Sequence, residues 1–344
     1  MTLPVSDLPP GDPQIIQVIR AQQAAVIQGD IATLNRLADQ WMQIERSLSA
    51  QMAQLVYEIN DKIKAGEVVD QAAILRLKRY KELAAAATRE TDKYIELANR
   101  IVTDRQVTLI TQGITDAVEA TRFAYQSFAL DYPAFDILPA DALNALIGMA
   151  GDGSPLNTLL SQIGPDALVG MTDALVEGIA LGLPPMATAK KMADGFALGL
   201  ERAFTISRTE TLRAYRFASQ EQYKTGGVVI EYMRIAQHTP TTCAGCLFAE
   251  GMIFPTDRTF DAHPNCRCST IPIVDGAPIP EFEKGEDWFL RQPEDIQRKI
   301  LGPGKYDAWQ QGVPLSDMVR HVDNDIWGGA FVPARLGDLE IPSQ

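Results

Sequence analysis

The four cysteines of this chain and one of its three histidines fall in a single short stretch. The sequence CAGC spans Cys243 to Cys246, and HPNCRC spans His263 to Cys268. Cysteines that only filled a hydrophobic core would be scattered along the chain. Two close pairs of sulfur and nitrogen donors separated by a short loop suit a tetrahedral metal ion, because zinc binds thiolate sulfur and imidazole nitrogen at four positions. The stretch therefore predicts a small module held together by a structural zinc ion.

The spacing within each pair supports a shared ion. Two residues separate Cys243 from Cys246, and two also separate His263 from Cys266. A turn of that length can direct both side chains of a pair toward one ion. Five candidate donors then compete for four coordination positions. We favour Cys243, Cys246, His263 and Cys266, with Cys268 either replacing the histidine or lying beside the ion as a neighbouring thiol.

Two other interpretations of the cysteines stay open, namely a pair of disulfides and a set of reduced thiols packed in a small core. Met1 to Gln14 is polar and proline-rich without an apolar run, so we expect no secretory signal there. Disulfides are rare in proteins that remain in a reducing compartment. The metal site is therefore the preferred interpretation.

The acidic character of the chain bears on which partners it can bind. The formal net charge is −13 at pH 7 over 344 residues, and the isoelectric point is near 4.8. A protein that coats nucleic acid through its phosphates usually carries a positive charge, so nonspecific DNA binding is not predicted. The longest apolar stretch, Ala167 to Leu183, contains Asp173 and Glu177, and no membrane span is predicted either.

The first third of the chain has the pattern of long helices. From Ile31 to Ile63, apolar residues recur in steps of three and four, which places them on one face of an α-helix. Asp30 is the expected N-cap, and Gly66 is the expected stop. A second helix is expected after Asp70, continuing toward Gln126. Together the two predict an antiparallel helical hairpin or bundle.

Short helices follow, and β-strand patterns occur only around the cysteines. Ser207 and Glu210 match a capping box that would open a helix. Val228 to Met233 and Thr270 to Val274 are rich in β-branched residues. Strands this short need a metal ion for stability. The predicted fold is mainly α, with a long N-terminal helical hairpin or bundle followed by a small α+β module stabilised by the Cys/His cluster.

Four sequence segments, taken in order, carry a resemblance to a known family. They are SRTETLRAYRFASQEQY, CAGCLFAEGMIFP, HPNCRCSTIPIV and FLRQPEDIQRKILGPGKYDAWQQG. Together they resemble the Mu F-like head-morphogenesis proteins, the minor head proteins of tailed bacteriophages. The resemblance covers roughly Pro184 to Leu315, under half of the chain. With it, the chain divides into four predicted segments: a helical hairpin or bundle over 1–130, a short-helix connector over 131–183, a Mu F-like core with the Cys/His cluster over 184–280, and a C-terminal helix and extended tail over 281–344.

The resemblance implies a minor capsid component, made in the host cytoplasm and built into the capsid interior at or near the portal vertex. It implies a role in head morphogenesis and virion assembly, by binding rather than catalysis, with several copies in each particle. The implied partner is the phage portal protein. The major capsid protein, a scaffold protein and, weakly, packaged DNA are further candidates, and no membrane partner is expected. The N-terminal helices lie outside the resemblance.

Other functions stay open. One is an internal head protein that associates with DNA or is ejected with it, with Arg267 reaching a phosphate. Another is an enzyme, since a cysteine beside a histidine can act as a nucleophile with its base, and Arg208 and Glu210 can belong to a toxin-like active site. Zinc-dependent deaminases place His-x-Glu before Cys-x-x-Cys, whereas here CAGC comes first and no His-x-Glu occurs. We predict no catalytic residues.

Overall fold

The structure is a computed structural model that describes residues 13–340, so the expectation for Met1 to Gln14 falls almost wholly outside it. Within the described residues, long helices come first and a small sheet region with the Cys/His cluster follows, which confirms the predicted fold class. The helices are α1 (Gln14–Lys64), α2 (Gln71–Arg76), α3 (Lys78–Gln126), α4 (Leu156–Leu160), α5 (Ile163–Ala180), α6 (Pro185–Phe196), α7 (Leu198–Gly226), α8 (Ala244–Phe248), α9 (Gly285–Leu290), α10 (Glu294–Leu301) and α11 (Pro303–Gln310). The strands are β1 (Val229–Ile235), β2 (Ile253–Pro255), β3 (Ser269–Val274), β4 (Val319–Asn324) and β5 (Gly328–Pro333).

The chain forms two compact units, each assembled from separate stretches of sequence. Among the described residues, the first, which we call the cluster unit, comprises 13–30, 106–153 and 209–340. The second, the helical unit, comprises Ile31–Arg105 and Ser154–Arg208. Helices α1, α3 and α7 contribute residues to both units. The four continuous segments drawn from the sequence stay a prediction.

The first helix begins earlier than its N-cap signal indicated. α1 starts at Gln14, so the expected N-cap at Asp30 is wrong, and Asp30 lies inside the helix with 1% of its surface exposed. A cap is needed only where backbone N–H groups lack a partner one turn earlier, and here the helix continues upstream. The expected end is confirmed, since α1 stops at Lys64 and Gly66 has a φ of +86°, which suits glycine.

The second predicted helix is interrupted near its start. Asp70 caps α2, because its carboxylate accepts a hydrogen bond of 2.7 Å from the N–H of Ala73. Leu77 then takes an extended conformation with φ −59° and ψ 136°. α3 follows at once and runs for 49 residues. The expected start and end are therefore confirmed, with a break that the sequence pattern did not indicate.

In the helical unit, α1 and α3 run antiparallel. Arg79 forms an ion pair of 2.8 Å with Glu58, and the Tyr94 hydroxyl donates a hydrogen bond of 3.2 Å to the carbonyl of Leu37. Residue numbers therefore rise along one helix while they fall along the other. Trp41 is fully buried at this interface, and its ring lies 4.9 Å from that of Tyr94 in an edge-to-face arrangement.

The capping box expected at Ser207 and Glu210 is wrong. Both residues lie inside α7, which begins at Leu198, and both side chains are fully buried. Since the N–H groups at this point belong to a continuing helix, they need no side-chain cap. One residue separates the end of α6 at Phe196 from the start of α7 at Leu198.

Three antiparallel strands carry the cluster region in the order β2–β1–β3. Both predicted strands are confirmed within two residues, since Val228 to Met233 corresponds to β1 and Thr270 to Val274 to β3. Met233 pairs with Ile271 on one side and with Ile253 on the other. β3 is buried along its whole length. The sheet shares a hydrophobic core with residues of α1 and α3, namely Ile15, Ile16, Ile19, Ala117, Ala120, Ala124 and Tyr125.

A second sheet of two antiparallel strands, β4 and β5, lies in the C-terminal region, where no strand was predicted. The turn between them is organised by Asn324, whose side-chain oxygen accepts hydrogen bonds from the N–H groups of Ile326 at 2.9 Å and Trp327 at 3.0 Å. Gly328, with a φ of +74°, completes the turn. This hairpin positions Trp327 in the cluster unit.

Candidate metal centre

The first pair of donors lies at the start of a short helix. Cys243 is the N-cap of α8, and its Sγ accepts a hydrogen bond of 3.3 Å from the N–H of Cys246. A sulfur at this position favours the thiolate, because backbone N–H groups point toward it. Gly245 lets β5 pass closely, since a Cβ there would lie 2.8 Å from the carbonyl oxygen of Phe331. The CAGC spacing is thus a helix-starting turn.

The second pair lies on a tight turn before β3. The N–H of Cys266 donates to the carbonyl of His263 at 3.0 Å, and Asn265 takes a left-handed conformation with a φ of +64°. The N–H of Asn265 donates to the Thr209 hydroxyl of α7 at 3.1 Å. His263 Nδ1 lies 2.7 Å from the carbonyl oxygen of Pro264, so Nδ1 carries the proton. Nε2 is therefore the nitrogen that can bind a metal ion.

These turns bring the donor atoms together. Nε2 of His263 lies 3.1 Å from the Sγ of Cys243 and 3.1 Å from the Sγ of Cys246. The Sγ atoms of Cys246 and Cys266 are 3.8 Å apart. Two zinc-bound sulfurs in a tetrahedron are also separated by about 3.8 Å, which follows from a Zn–S bond of about 2.3 Å.

Cys268, the residue immediately before β3, also belongs to the group. The donor atoms of Cys246, Cys266 and Cys268 lie within 4.8 Å of one another, as do those of Cys243, Cys246 and His263. All five donors line one cavity of about 180 Å³. They form a cluster that could hold a metal ion. Which four of the five bind it stays a prediction.

The cysteines are free thiols in the structure. The distance of 3.8 Å between the sulfurs of Cys246 and Cys266 exceeds a disulfide bond of about 2.05 Å by a wide margin. Three of the four cysteines are buried, and Cys243 is half-buried. The arrangement places soft donors in a largely water-excluded site.

The ionisation of the donors is strongly perturbed. The hydrogen bond with Cys246, followed by that with His263, lowers the pKa of Cys243 to about 5. Burial lowers the pKa of His263, but the hydrogen bond with Cys243 and the nearby charges of Cys266 and Cys243 outweigh it and raise the pKa to about 9. Hydrogen bonds with Cys246 and Cys268 hold the pKa of Cys266 well below its usual value. At neutral pH, Cys243 and Cys266 are therefore thiolates, the form that binds metals. Hydrogen bonds with Cys243 and Cys266 instead raise the pKa of Cys246 well above its usual value, so this thiol must release its proton when a metal ion binds.

Arg234 on β1 contacts the donor cluster, which the sequence reasoning missed. It is 1% exposed, and its Nη2 lies 3.6 Å from the Sγ of Cys246 and 3.5 Å from the Sγ of Cys266. Its Nη1 donates to the carbonyl of Asp261 at 2.6 Å. The guanidinium also lies 4.6 Å from the ring centroid of Phe260. Arg234 is the one basic residue of β1, a strand close to the cysteines in sequence, and this was the available signal.

Arg216 on α7 holds the HPNCRC turn through its backbone carbonyls. Its Nε donates to the carbonyl of Cys268 at 3.0 Å, and its Nη2 donates to the carbonyl of Cys266 at 2.6 Å. The residue is 5% exposed. The side chain of Gln23 on α1 donates to the carbonyl of Arg267 at 2.7 Å. Two helices distant in sequence therefore hold the HPNCRC turn in place.

Glu210, considered above for a toxin-like active site, and the nearby buried Glu250 take part in other contacts. Glu210 is fully buried and accepts a hydrogen bond of 2.9 Å from Nε of Arg213. Glu250 accepts the N–H of Ala236 at 2.8 Å and lies 2.7 Å from Nε2 of His238. Both carboxylates thus have structural partners, and neither is among the residues that line the cavity of the cluster.

Comparisons with protein-family models, with curated proteins and with solved structures gave no match. Among the residues that the structure describes, none of the helices has the length and apolar character required to cross a bilayer.

Proposed function

We propose that the Cys/His cluster is a structural zinc centre with Cys243, Cys246, His263 and Cys266 as ligands and Cys268 as a neighbouring thiol. The observation that carries the proposal is that the Sγ of Cys246 joins the two turns, at 3.1 Å from Nε2 of His263 and 3.8 Å from the Sγ of Cys266. Nε2 of His263 also contacts Cys243, and it is available to a metal ion because Nδ1 is bonded to Pro264. Three sulfurs and one nitrogen are an established structural zinc set. A zinc ion here would cross-link the two turns and would have a structural, not a catalytic, role.

The buried charges support this ligand set. Three thiolates with one divalent ion leave a net charge of −1, and a buried charge without a partner is costly. Arg234 supplies one positive charge at 3.5 Å from Cys266 and 3.6 Å from Cys246. Its guanidinium therefore balances the site, as outer partners of metal ligands commonly do.

A structural role also fits the way the cluster is enclosed. A catalytic zinc keeps one coordination position open, whereas here five donors surround the site. The cluster joins α8 to the turn before β3, and the sheet that contains β3 has an edge strand, β2, of only three residues. A metal ion that binds the folded state adds its binding free energy to folding.

The experiment is metal analysis of the purified full-length chain, followed by thermal unfolding with and without a strong chelator. We expect one zinc ion per chain and a lower unfolding temperature after chelation, with recovery on adding zinc. A chain that purifies without zinc and unfolds at the same temperature in chelator would overturn the proposal.

We further propose that the chain acts as a minor head protein of a tailed bacteriophage, binding at or near the portal vertex inside the capsid. The proposal rests on the ordered resemblance that includes CAGC and HPNCRC. The geometry adds support, because these two motifs form the donor cluster and the SRTETLRAYRFASQEQY segment is the part of α7 that braces it. In this proposal the cluster unit is a folded platform and its function is binding rather than catalysis.

The long helices have the dimensions for reaching a partner. α1 has 51 residues, which corresponds to about 76 Å at 1.5 Å per residue. The turn region between α1 and α3 exposes several large apolar side chains, namely Tyr57, Ile63, Val68 and Leu75. We assign the contact with the portal to this helical pair.

Co-purification with a co-expressed phage portal protein, read by native mass spectrometry, tests the assembly role. We expect a stable complex with a defined copy number, and we expect Val68→Ser, which alters a residue that is 90% exposed, to weaken it without changing stability. Val107→Ser, which alters an exposed valine of the cluster unit, serves as the control. A folded, zinc-loaded chain that forms no complex would refute the portal role and leave the zinc centre standing. Duplex DNA binding in a mobility-shift assay would then favour a DNA-associated head protein.

A further inference from the structure

The cluster unit contains a second cavity whose lining includes none of the five metal donors. It has a volume of about 250 Å³ and lies among α7, the segment before the HPNCRC turn, and the turn between β4 and β5. Its main lining side chains are Arg213, Arg216, Phe217, Thr259, Phe260 and Trp327. The cavity therefore combines two cationic groups with three aromatic rings.

The indole wall of the cavity is fixed in position. Nε1 of Trp327 donates a hydrogen bond of 2.6 Å to Oε1 of Glu210, and the N–H of Gly151 donates to the same oxygen at 3.3 Å. Glu210 is fully buried. A Cβ at position 151 would lie 3.0 Å from Cδ1 of Trp327 and 2.5 Å from the carbonyl oxygen of Ile326, so only glycine permits this approach. A wall held in this way needs no ordering when a ligand binds.

The two arginines are also held in place. Arg213 uses Nε for Glu210 at 2.9 Å and Nη2 for the carbonyl of Met149 at 2.8 Å. Arg216 uses Nε and Nη2 for the carbonyls of Cys268 and Cys266. The Nη1 groups of the two arginines take no part in these four hydrogen bonds.

The charge of the cavity has one sign. Among the described residues that line it, two are arginines and none is acidic. Glu210 balances one of the two charges. In a chain whose net charge is −13, a partly enclosed cationic cavity with aromatic walls is a local exception that favours an anion.

We propose that this cavity binds a small organic anion built on a single planar ring. The carboxylate or phosphate of the ligand pairs with Arg213 and Arg216, which present planar donors suited to such oxygens. The ring packs against Trp327, with Phe217 and Phe260 completing the apolar walls. The volume of about 250 Å³ lies just below the range of about 300–1,000 Å³ for drug-sized ligands, so it fits one ring rather than a dinucleotide. This site is independent of the portal and zinc proposals.

Isothermal titration calorimetry on the full-length, metal-loaded chain tests the proposal with two anions and their neutral analogues. The anions are benzoate and thymidine 5′-monophosphate, and the analogues are benzamide and thymidine. We expect at least one anion to bind at least about tenfold more tightly than its analogue, the difference that about 1.4 kcal/mol of charge pairing produces.

Two variants test whether the anion binds in this cavity. Thr259→Trp places a bulky ring at an exposed lining position and is expected to abolish binding. Arg213→Gln is expected to weaken anion binding at least about tenfold, whereas Arg335→Gln, an exposed arginine outside the lining, changes it less than about twofold. Circular dichroism and zinc content report folding for each variant. If Arg213→Gln does not fold, Thr259→Trp decides the question.

Several outcomes would overturn the proposal. One is the absence of saturable heat for both anions up to about 10 mM, a concentration above weak millimolar dissociation constants. Another is equal affinity for an anion and its neutral analogue. A third is unchanged binding in folded Thr259→Trp, which would place the ligand elsewhere.

Discussion

Replacement of Arg234 by methionine tests whether its positive charge stabilises the metal centre. Methionine has a long, flexible and uncharged side chain, so it fills much of the same space while removing the cation. In the structure this cation lies 3.5 Å from the Sγ of Cys266 and 3.6 Å from the Sγ of Cys246. We expect Arg234→Met to fold with zinc present but to bind zinc more weakly.

The size of the effect follows from these distances. A pair of unit charges separated by 3.5–3.6 Å interacts with about 4–5 kcal/mol at an effective dielectric constant of about 20. The cost of burying the guanidinium cancels part of that gain. Changes in the outer partners of metal ligands typically weaken affinity by about 10–100-fold, which corresponds to about 1.4–2.7 kcal/mol. We expect the loss of zinc affinity to fall in that range.

The assay is competition for zinc against a chromophoric chelator, at constant pH and salt. Arg258→Met is the matched control, because Arg258 is largely exposed and pairs with Asp261 at 2.7 Å outside the donor cluster. It is expected to change zinc affinity less than about twofold. Arg234→Lys keeps the charge without the planar fork and should give an intermediate value. Wild-type affinity in Arg234→Met would refute the charge-balancing role.

Three further predictions address the ligand set and the two units. Cys243→Ser should lower the zinc content below one ion per chain while Cys268→Ser retains it, read by mass spectrometry, and the reverse result would exchange their roles. Trp41→Ala should destabilise the helical unit by about 3–5 kcal/mol in urea unfolding, because the ring is fully buried and stacks 4.8 Å from that of Phe196. Burial raises the pKa of Asp116 from 3.8 to about 6, so the folded state favours the protonated carboxyl. The contribution of this proton to the free energy of unfolding is complete below pH 3.8 and is lost as the pH rises through about 6. Asp116→Asn should remove that slope, measured as the difference in unfolding free energy from wild type across this range, and an unchanged slope would contradict the assignment.

Sequence patterns predicted the structure correctly where neighbouring residues alone determine the backbone conformation. Asp70 caps α2, Gly66 follows the end of α1, and both strand patterns around the cysteines are strands in the structure. The same local reasoning failed at Asp30 and at Ser207. Each has the side chain of an N-cap, but the helix continues on both sides of it, so no unpaired N–H groups remain to be capped.

The C-terminal region shows a different limit. The hairpin of β4 and β5 is short, and its strand signals are weak in the sequence. The pairing of Val319 with Pro333 and the turn formed by Asn324 stabilise the hairpin. Such pairing depends on packing against the rest of the unit, which strand propensity alone does not contain.

The sequence by itself determined the mainly helical fold and the grouping of five metal donors, because both follow from the spacing of neighbouring residues. Only the tertiary structure decided that Arg234 faces the sulfurs and that Arg216 braces the loop from α7. It also decided that Glu210 holds Trp327 over a cationic cavity, across 117 positions of sequence. These contacts join residues far apart in the chain, and their energies depend on burial that arises only when the helices and sheets pack together.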